Sequence, residues 1–150
     1  MPGYRTHLMG GFTAYVIVLY LLKSLKPTPF TMLEWLACAL VGALFPDVDT
    51  KSKGQLWFYR FLFLVLLVLA LHRCFLIAAL ISIVCILPML VQHRGLFHRP
   101  LFLIGVPMLG VVIVNIYAPA CARLFFFDAL FFVVGAMSHI LLDRGVRAFV

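Results

Sequence analysis

Residues 61–71 read FLFLVLLVLAL, and beyond the polar pair His72–Arg73 the chain runs apolar again to Val91, with Ser82 the one hydrogen-bonding side chain on the way. Segments of this kind must be hidden from water, and composition decides where. Of the 150 side chains, 65% are hydrophobic and only 11% charged, with a mean hydropathy of +1.16. That leaves too little polar surface to coat a soluble globule. The chain is therefore expected to be an integral membrane protein. A spanning helix takes roughly 20 mostly apolar residues, so the length allows about six spans if the connections are short. The expected fold is all-α, a polytopic membrane helix bundle forming one integral membrane domain over residues 1–150, with no soluble domain beside it.

The breaks between apolar runs are chemically legible. KSLKPTP carries two prolines, PDVDTKSKGQ is polar with a glycine, HR at 72–73 is a tight corner, and HRGLFHRP and NIYAPACAR supply the rest. They place helices at about 8–25, 31–46, 57–71, 74–92, 100–117 and 123–142, with Pro88 and Pro107 expected to kink the fourth and fifth. MPGYRTHLMGG offers only Arg5 as a positive leader, and no small-x-small site follows Leu22, so the first helix is expected to be retained rather than cleaved as a signal peptide. Cys38, Cys74, Cys85 and Cys121 are scattered without a CxxC pair and read as small core residues rather than a disulfide or metal set.

Six spans bring the N-terminus, the second and fourth connections and the C-terminus to one face of the bilayer. That face carries eight basic residues, Arg5, Lys51, Lys53, Arg60, Arg94, Arg99, Arg144 and Arg147, against four, Lys23, Lys26, Arg73 and Arg123, on the other. An excess of Lys and Arg in short loops marks the cytoplasmic side, so both termini are expected in the cytoplasm. The net charge of +7 is largely this asymmetry plus attraction to anionic head groups, and no nucleic-acid partner is expected. The other ionisable groups follow the same map. His7, His93, His98 and His139 fall on the cytoplasmic face with Asp47, Asp49 and Asp143, while His72, Glu34 and Asp128 do not.

Those seven are candidate metal ligands. PDVD follows the last apolar residues of the second helix, His93 ends the fourth, and SHILLD ends the sixth, with His139 and Asp143 one turn apart on one face. A carboxylate at a helix C-terminus opposes the negative end of the macrodipole, a cost of a few tenths to about 1 kcal/mol. Three of them at two C-termini point to a bound cation. Imidazole with carboxylate suits zinc first, with manganese, iron or magnesium as the other choices, and no thiolate argues for a softer site. HRGLFH then reads as a ligand loop: Gly95 breaks the helix after His93, and His98 returns just before Pro100 opens the next helix. Taken singly, each piece has a plainer reading: a solvated Asp turn, an interfacial histidine bonded to a carbonyl, an N-terminal histidine among head groups, arginines as anchors. Their coincidence on one face carries the argument.

THLMGG at 6–11, GALFPDVDTKS at 42–52, HRGLFH at 93–98 and GAMSHILLD at 135–143 resemble, in order and spacing, the YdjM-like membrane-bound metal-dependent hydrolases of bacterial inner membranes. The resemblance covers nearly the whole chain. It implies residence in the inner membrane, a divalent metal and a hydrolytic activity, without naming a substrate. It also implies a threonine or small polar residue where Phe97 stands, a departure from the pattern. The PD and HxxxD elements alone are similar to the zinc-dependent phospholipase C and nuclease group, which points towards phosphoesters.

The residues supply the mechanism. There is no GxSxG elbow, no cysteine beside the histidines, and Ser138 adjoins His139 on a helix, where successive side chains diverge. Water activated by one or two metal ions is the remaining route. Seven ligands exceed the three of a typical catalytic zinc site, leaving room for two ions bridged by a carboxylate such as Asp49, while Arg94, helped by Lys51 or Lys53, would hold a phosphate. Asp49 and Arg94 are thus the expected catalytic residues, and a membrane lipid or lipid-linked phosphate the expected substrate. Two other classes compete: a metal-stabilised membrane scaffold or partner-binding subunit, and a transporter. Transport places ionisable groups near the bilayer midplane, and no expected span has one at its centre, where Ser82 and Gly135 are the deepest small or polar residues.

Overall fold

The structure, a computed structural model, describes residues 3–49, 53–71 and 96–144, together with 73, 75, 79 and 82. It is all-α: among the described residues there are five helices and no strand, with α1 at Tyr4–Leu21, α2 at Pro29–Leu44, α3 at Lys53–Leu71, α4 at Pro100–Tyr117 and α5 at Pro119–Arg144. Among the described residues three stretches, Pro29–Val48, Pro100–Tyr117 and Pro119–Asp143, are long and apolar enough to cross a membrane. The helix expected over 74–92, with Pro88, lies almost wholly outside the described residues.

Proline sets the starts. α2, α4 and α5 each begin on one, because its fixed φ suits the first helical position and its missing N–H costs nothing there. Thr28 caps α2, its hydroxyl accepting from the Thr31 amide at 3.2 Å. α5 opens four residues before the expected 123 because Pro119 starts it, absorbing ACA into its first turn. α1 is displaced the same way, running from Tyr4 to Leu21 rather than from about 8 to 25. A 3-10 turn over Lys23–Leu25 and a left-handed Lys26 (φ 47°), just before Pro27, follow. Pro107 lies inside α4 without ending it.

α2 and α5 form the centre. Trp35 stacks on Phe131 with ring centroids 4.8 Å apart. One turn further along both helices Gly135 lies against the Ala39 carbonyl, and one turn further again His139 bonds to Ala43. Residue numbers rise together on both sides, so the helices run parallel, and the four-residue step is the ridge spacing of helix packing. Gly135 and Gly42 permit this closeness: a Cβ at either would collide with a backbone carbonyl of the facing helix, Ala39 for Gly135 and Phe132 for Gly42. Small residues at such contacts are how helices associate in lipid, where burial of apolar surface provides no net drive.

α1 and α4 flank this pair, both antiparallel to their neighbours. On α1, Gly11 abuts Ala43 and the Tyr15 hydroxyl donates to the Met32 carbonyl at 3.0 Å. On α4, Leu103 is buried with Ala136 and Ile140, and Gly110 lies near Phe125. The outer face of α4, including Leu101, Ile104, Leu109, Val112 and Ile116, is exposed carbon, as a lipid-facing helix requires.

Candidate metal centre

Because α2 and α5 are parallel, their C-termini finish at the same end of the bundle, where α1 begins. The chain leaves α2 through a 3-10 segment, Phe45–Asp49, in which buried Pro46 prevents continuation and buried Val48 ties the turn inward. Phe45 anchors it, edge-on to Phe58, Phe97 and Phe132 with centroids 5.2–6.1 Å away. Asp47 is thereby aimed at the last turn of α5, which carries His139 and Asp143. The remaining contributor arrives on a short 3-10 turn, Leu96–His98, ahead of Pro100. Phe97 is the pin that fixes it, buried against Phe45 and Phe102. That packing accounts for an aromatic where the resemblance implied a small polar residue.

His139 is wholly buried, and its Nδ1 lies 2.7 Å from the Ala43 carbonyl. That carbonyl belongs to the last turn of α2, where the helix itself supplies no donor. The Nδ1–H therefore donates to it, and a neutral imidazole so fixed presents a lone pair at Nε2. Nε2 is buried and forms no hydrogen bond. It faces Asp47 Oδ1 at 3.6 Å and Asp143 Oδ2 at 3.4 Å, and His98 Nε2 faces the same two oxygens at 3.8 and 4.0 Å. All four donor atoms lie within 4.8 Å of one another. Tetrahedral ligands about 2.0–2.1 Å from a zinc ion stand roughly 3.3–3.5 Å apart, so a small inward adjustment closes the set. This Asp–His cluster can bind a metal ion.

His7 adjoins it. Its buried ring is stacked on that of His139 at 3.8 Å and 16°, and its Nε2 is 3.4 Å from Asp143 Oδ1, the oxygen facing away from His139. Asp143 thus stands between His7 on one side and His98 and His139 on the other. Of the seven expected ligands the structure gathers Asp47, His98, His139 and Asp143 about one point, with His7 beside them. Asp49 closes the 3-10 segment but its side chain is not among those described, and the same holds for Lys53 at the start of α3. His93, Arg94 and Lys51 lie outside the described residues. The Ser138 hydroxyl donates to the Gly135 carbonyl at 2.7 Å on its own helix. Sequence reasoning missed the Ala43 carbonyl, because a main-chain group leaves no residue-type signature. The small residues Gly42, Ala43 and Gly135 were its available trace.

Fold and site together define a helical membrane protein with an Asp–His cluster able to hold a metal ion. The family match agrees: residues 1–150 match the YdjM inner membrane protein family, and the chain belongs to it. No curated protein and no solved structure matches the chain.

Proposed function

We propose that this protein is a membrane-embedded, metal-dependent hydrolase acting on a lipid-linked phosphoester at the cytoplasmic face of the inner membrane. The observation that carries the reading is the 2.7 Å contact of His139 Nδ1 with the Ala43 carbonyl, which leaves Nε2 as a buried donor aimed between two carboxylates. Metal-ligating histidines are typically oriented by just such a bond through the other ring nitrogen. A divalent ion in the cluster, zinc first on this donor set, would supply Lewis acidity and acidify a water. The four side chains would hold it, His139 and His98 as neutral nitrogen donors, Asp47 and Asp143 as anionic ones. Asp47 is also the most open of them, its side chain 26% exposed against 0% for His139, and it is the carboxylate best disposed to accept a proton from an approaching water. Asp143, flanked by imidazoles on both oxygens, would be the second anionic ligand. Arg94 would hold the phosphate, since its guanidinium offers donors only and cannot ligate a cation.

A scaffold remains the second reading, favoured by one specific feature: four protein donors is the number of a closed, structural zinc site. Arg94 separates the two. Arg94→Lys is expected to leave metal content unchanged while lowering hydrolysis of a lipid phosphoester by at least about tenfold, about 1.4 kcal/mol in barrier, because lysine lacks the two-pronged fork. Unchanged turnover would remove Arg94 from the mechanism. No turnover by the metal-loaded protein across phospholipids and lipid pyrophosphates would favour the scaffold.

A further inference from the structure

Beside the cluster, and separate from it, a groove of about 410 Å³ runs between the start of α1, the end of α2 and the start of α3. Leu8, Leu40, Leu44 and Phe58 line it, together with the two polar-tipped aromatics Tyr4 and Trp57. Its wall is almost entirely carbon, so a ligand inside it must be hydrocarbon, and its volume is that of a small-ligand pocket. Each polar-tipped aromatic carries a guanidinium. Arg5 lies 5.9 Å from the centre of the Tyr4 ring, with its Nε 3.3 Å from the Tyr4 hydroxyl, and Arg60 lies 5.5 Å from the Trp57 ring. Such contacts restrict where the cations can go, and the two rings that hold them, Tyr4 and Trp57, line the same groove. Tyr, Trp and Arg at one helix end are also the side chains that favour the boundary between head groups and acyl chains. Apolar walls with paired cations at the edge match an anionic amphiphile rather than a neutral one or a soluble anion.

We infer that this groove binds an anionic phospholipid, with one acyl chain along Leu8, Leu40 and Leu44 and the phosphate between Arg5 and Arg60. The site does not require the cluster to be catalytic. It adjoins the cluster, however: His7 lies between Tyr4 and Leu8 on α1, and Phe58 packs on Phe45, which packs on Phe97 next to His98. A lipid seated here would present its head group at the end of the bundle where the carboxylates and imidazoles converge.

The test uses the full chain in detergent, stripped of lipid and titrated with phosphatidylglycerol or phosphatidylcholine of matched chains, with adducts counted by native mass spectrometry. One phosphatidylglycerol is expected to be retained in preference to phosphatidylcholine by at least about tenfold, the scale of two basic side chains at a lipid head group. Arg5→Gln with Arg60→Gln should abolish the preference; both side chains are exposed, so the helices should be unaffected. Leu40→Trp, which fills the groove, should remove the retained lipid of either kind. Equal retention of the two lipids, a preference surviving the arginine pair, or a protein dimer that persists without any lipid adduct would each overturn the proposal.

Discussion

The two ends of the α2–α5 contact share one register and are made of opposite materials. At one end Trp35 lies on Phe131, with Phe127 at 5.2 Å from Trp35 and Tyr15 at 5.5 Å from Phe131. At the other, two turns on, His139 meets the Ala43 carbonyl, and the next residues in the same steps are Asp47 and Asp143. The aromatic end closes carbon against carbon around the buried Trp35 indole N–H, a neutral donor left without a hydrogen-bond partner among the described residues. The polar end gathers charge instead. A parallel pair directs the negative ends of both macrodipoles, each equivalent to roughly half an elementary charge, to the place where two carboxylates converge. Burying such a group without a counter-charge costs several kcal/mol per ion. One backbone geometry therefore yields an aromatic core at one end and a cation-seeking cluster at the other.

The comparison breaks most completely if the shared register is lost. Gly135→Ala places a methyl against the Ala39 backbone, which cannot rotate away as a side chain would. It is expected to destabilise the bundle by about 3 kcal/mol, the upper end for overpacking, and to disturb both ends at once. Gly105→Ala on α4, where a Cβ would meet nothing within 4 Å, should be neutral or slightly favourable. Thermal unfolding of the purified variants in detergent measures both, and a tolerant Gly135 would mean that the helices do not meet as closely as described.

The second prediction separates the ends. His139→Ala and Asp47→Ala are expected to abolish stoichiometric metal, read by elemental analysis, whereas Phe131→Leu at the aromatic end should keep it at some cost in packing. Where the unmodified protein gains about 2.7 kcal/mol from an ion present at a hundred times its dissociation constant, the two alanine variants should melt at the same temperature with metal or chelator. Metal retained in both would dissolve the contrast between an aromatic end and a metal-binding one.

Much of this was legible in the residues, and for definable reasons. Hydropathy and proline mark the helices because bilayer thickness and proline geometry act locally: α4 falls on its expected span, 100–117, while α1, α3 and α5 each start four residues before the expected 8, 57 and 123. The candidate ligands Asp47, His98, His139 and Asp143 were visible because ionisable groups are scarce in an apolar chain, and their grouping followed from the parity of the spans. Register was not legible. It depends on which glycine faces which carbonyl across a contact between residues 39 and 135, and a sequence carries no local mark of that. The roles of Phe45 and Phe97 were likewise hidden, since one phenylalanine among fifteen says nothing about whether it faces lipid or pins a metal-binding loop. His7 is the intermediate case: its type and position suggested the site, but only the fold shows it stacked behind His139 instead of sharing the common point.

The smallest effect tests whether the aromatic end can be loosened without consequence for the polar one. Thr28 caps α2 at the end remote from the cluster, its hydroxyl accepting from the Thr31 amide at 3.2 Å and lying 2.9 Å from the Thr31 hydroxyl. Thr28→Ala leaves one more of the first-turn amides without a partner and should cost about 1 kcal/mol of stability, seen as a lower midpoint of thermal unfolding. The lost cap frays the first turn, ahead of Trp35. Fraying does not propagate through the Ala39–Gly135 contact, because that contact is backbone against backbone and has no second arrangement to adopt. Metal stoichiometry should therefore be unchanged. A Thr28 variant that loses its ion would show that the two ends of α2 are coupled along the helix, and that the cluster depends on the aromatic end for more than register.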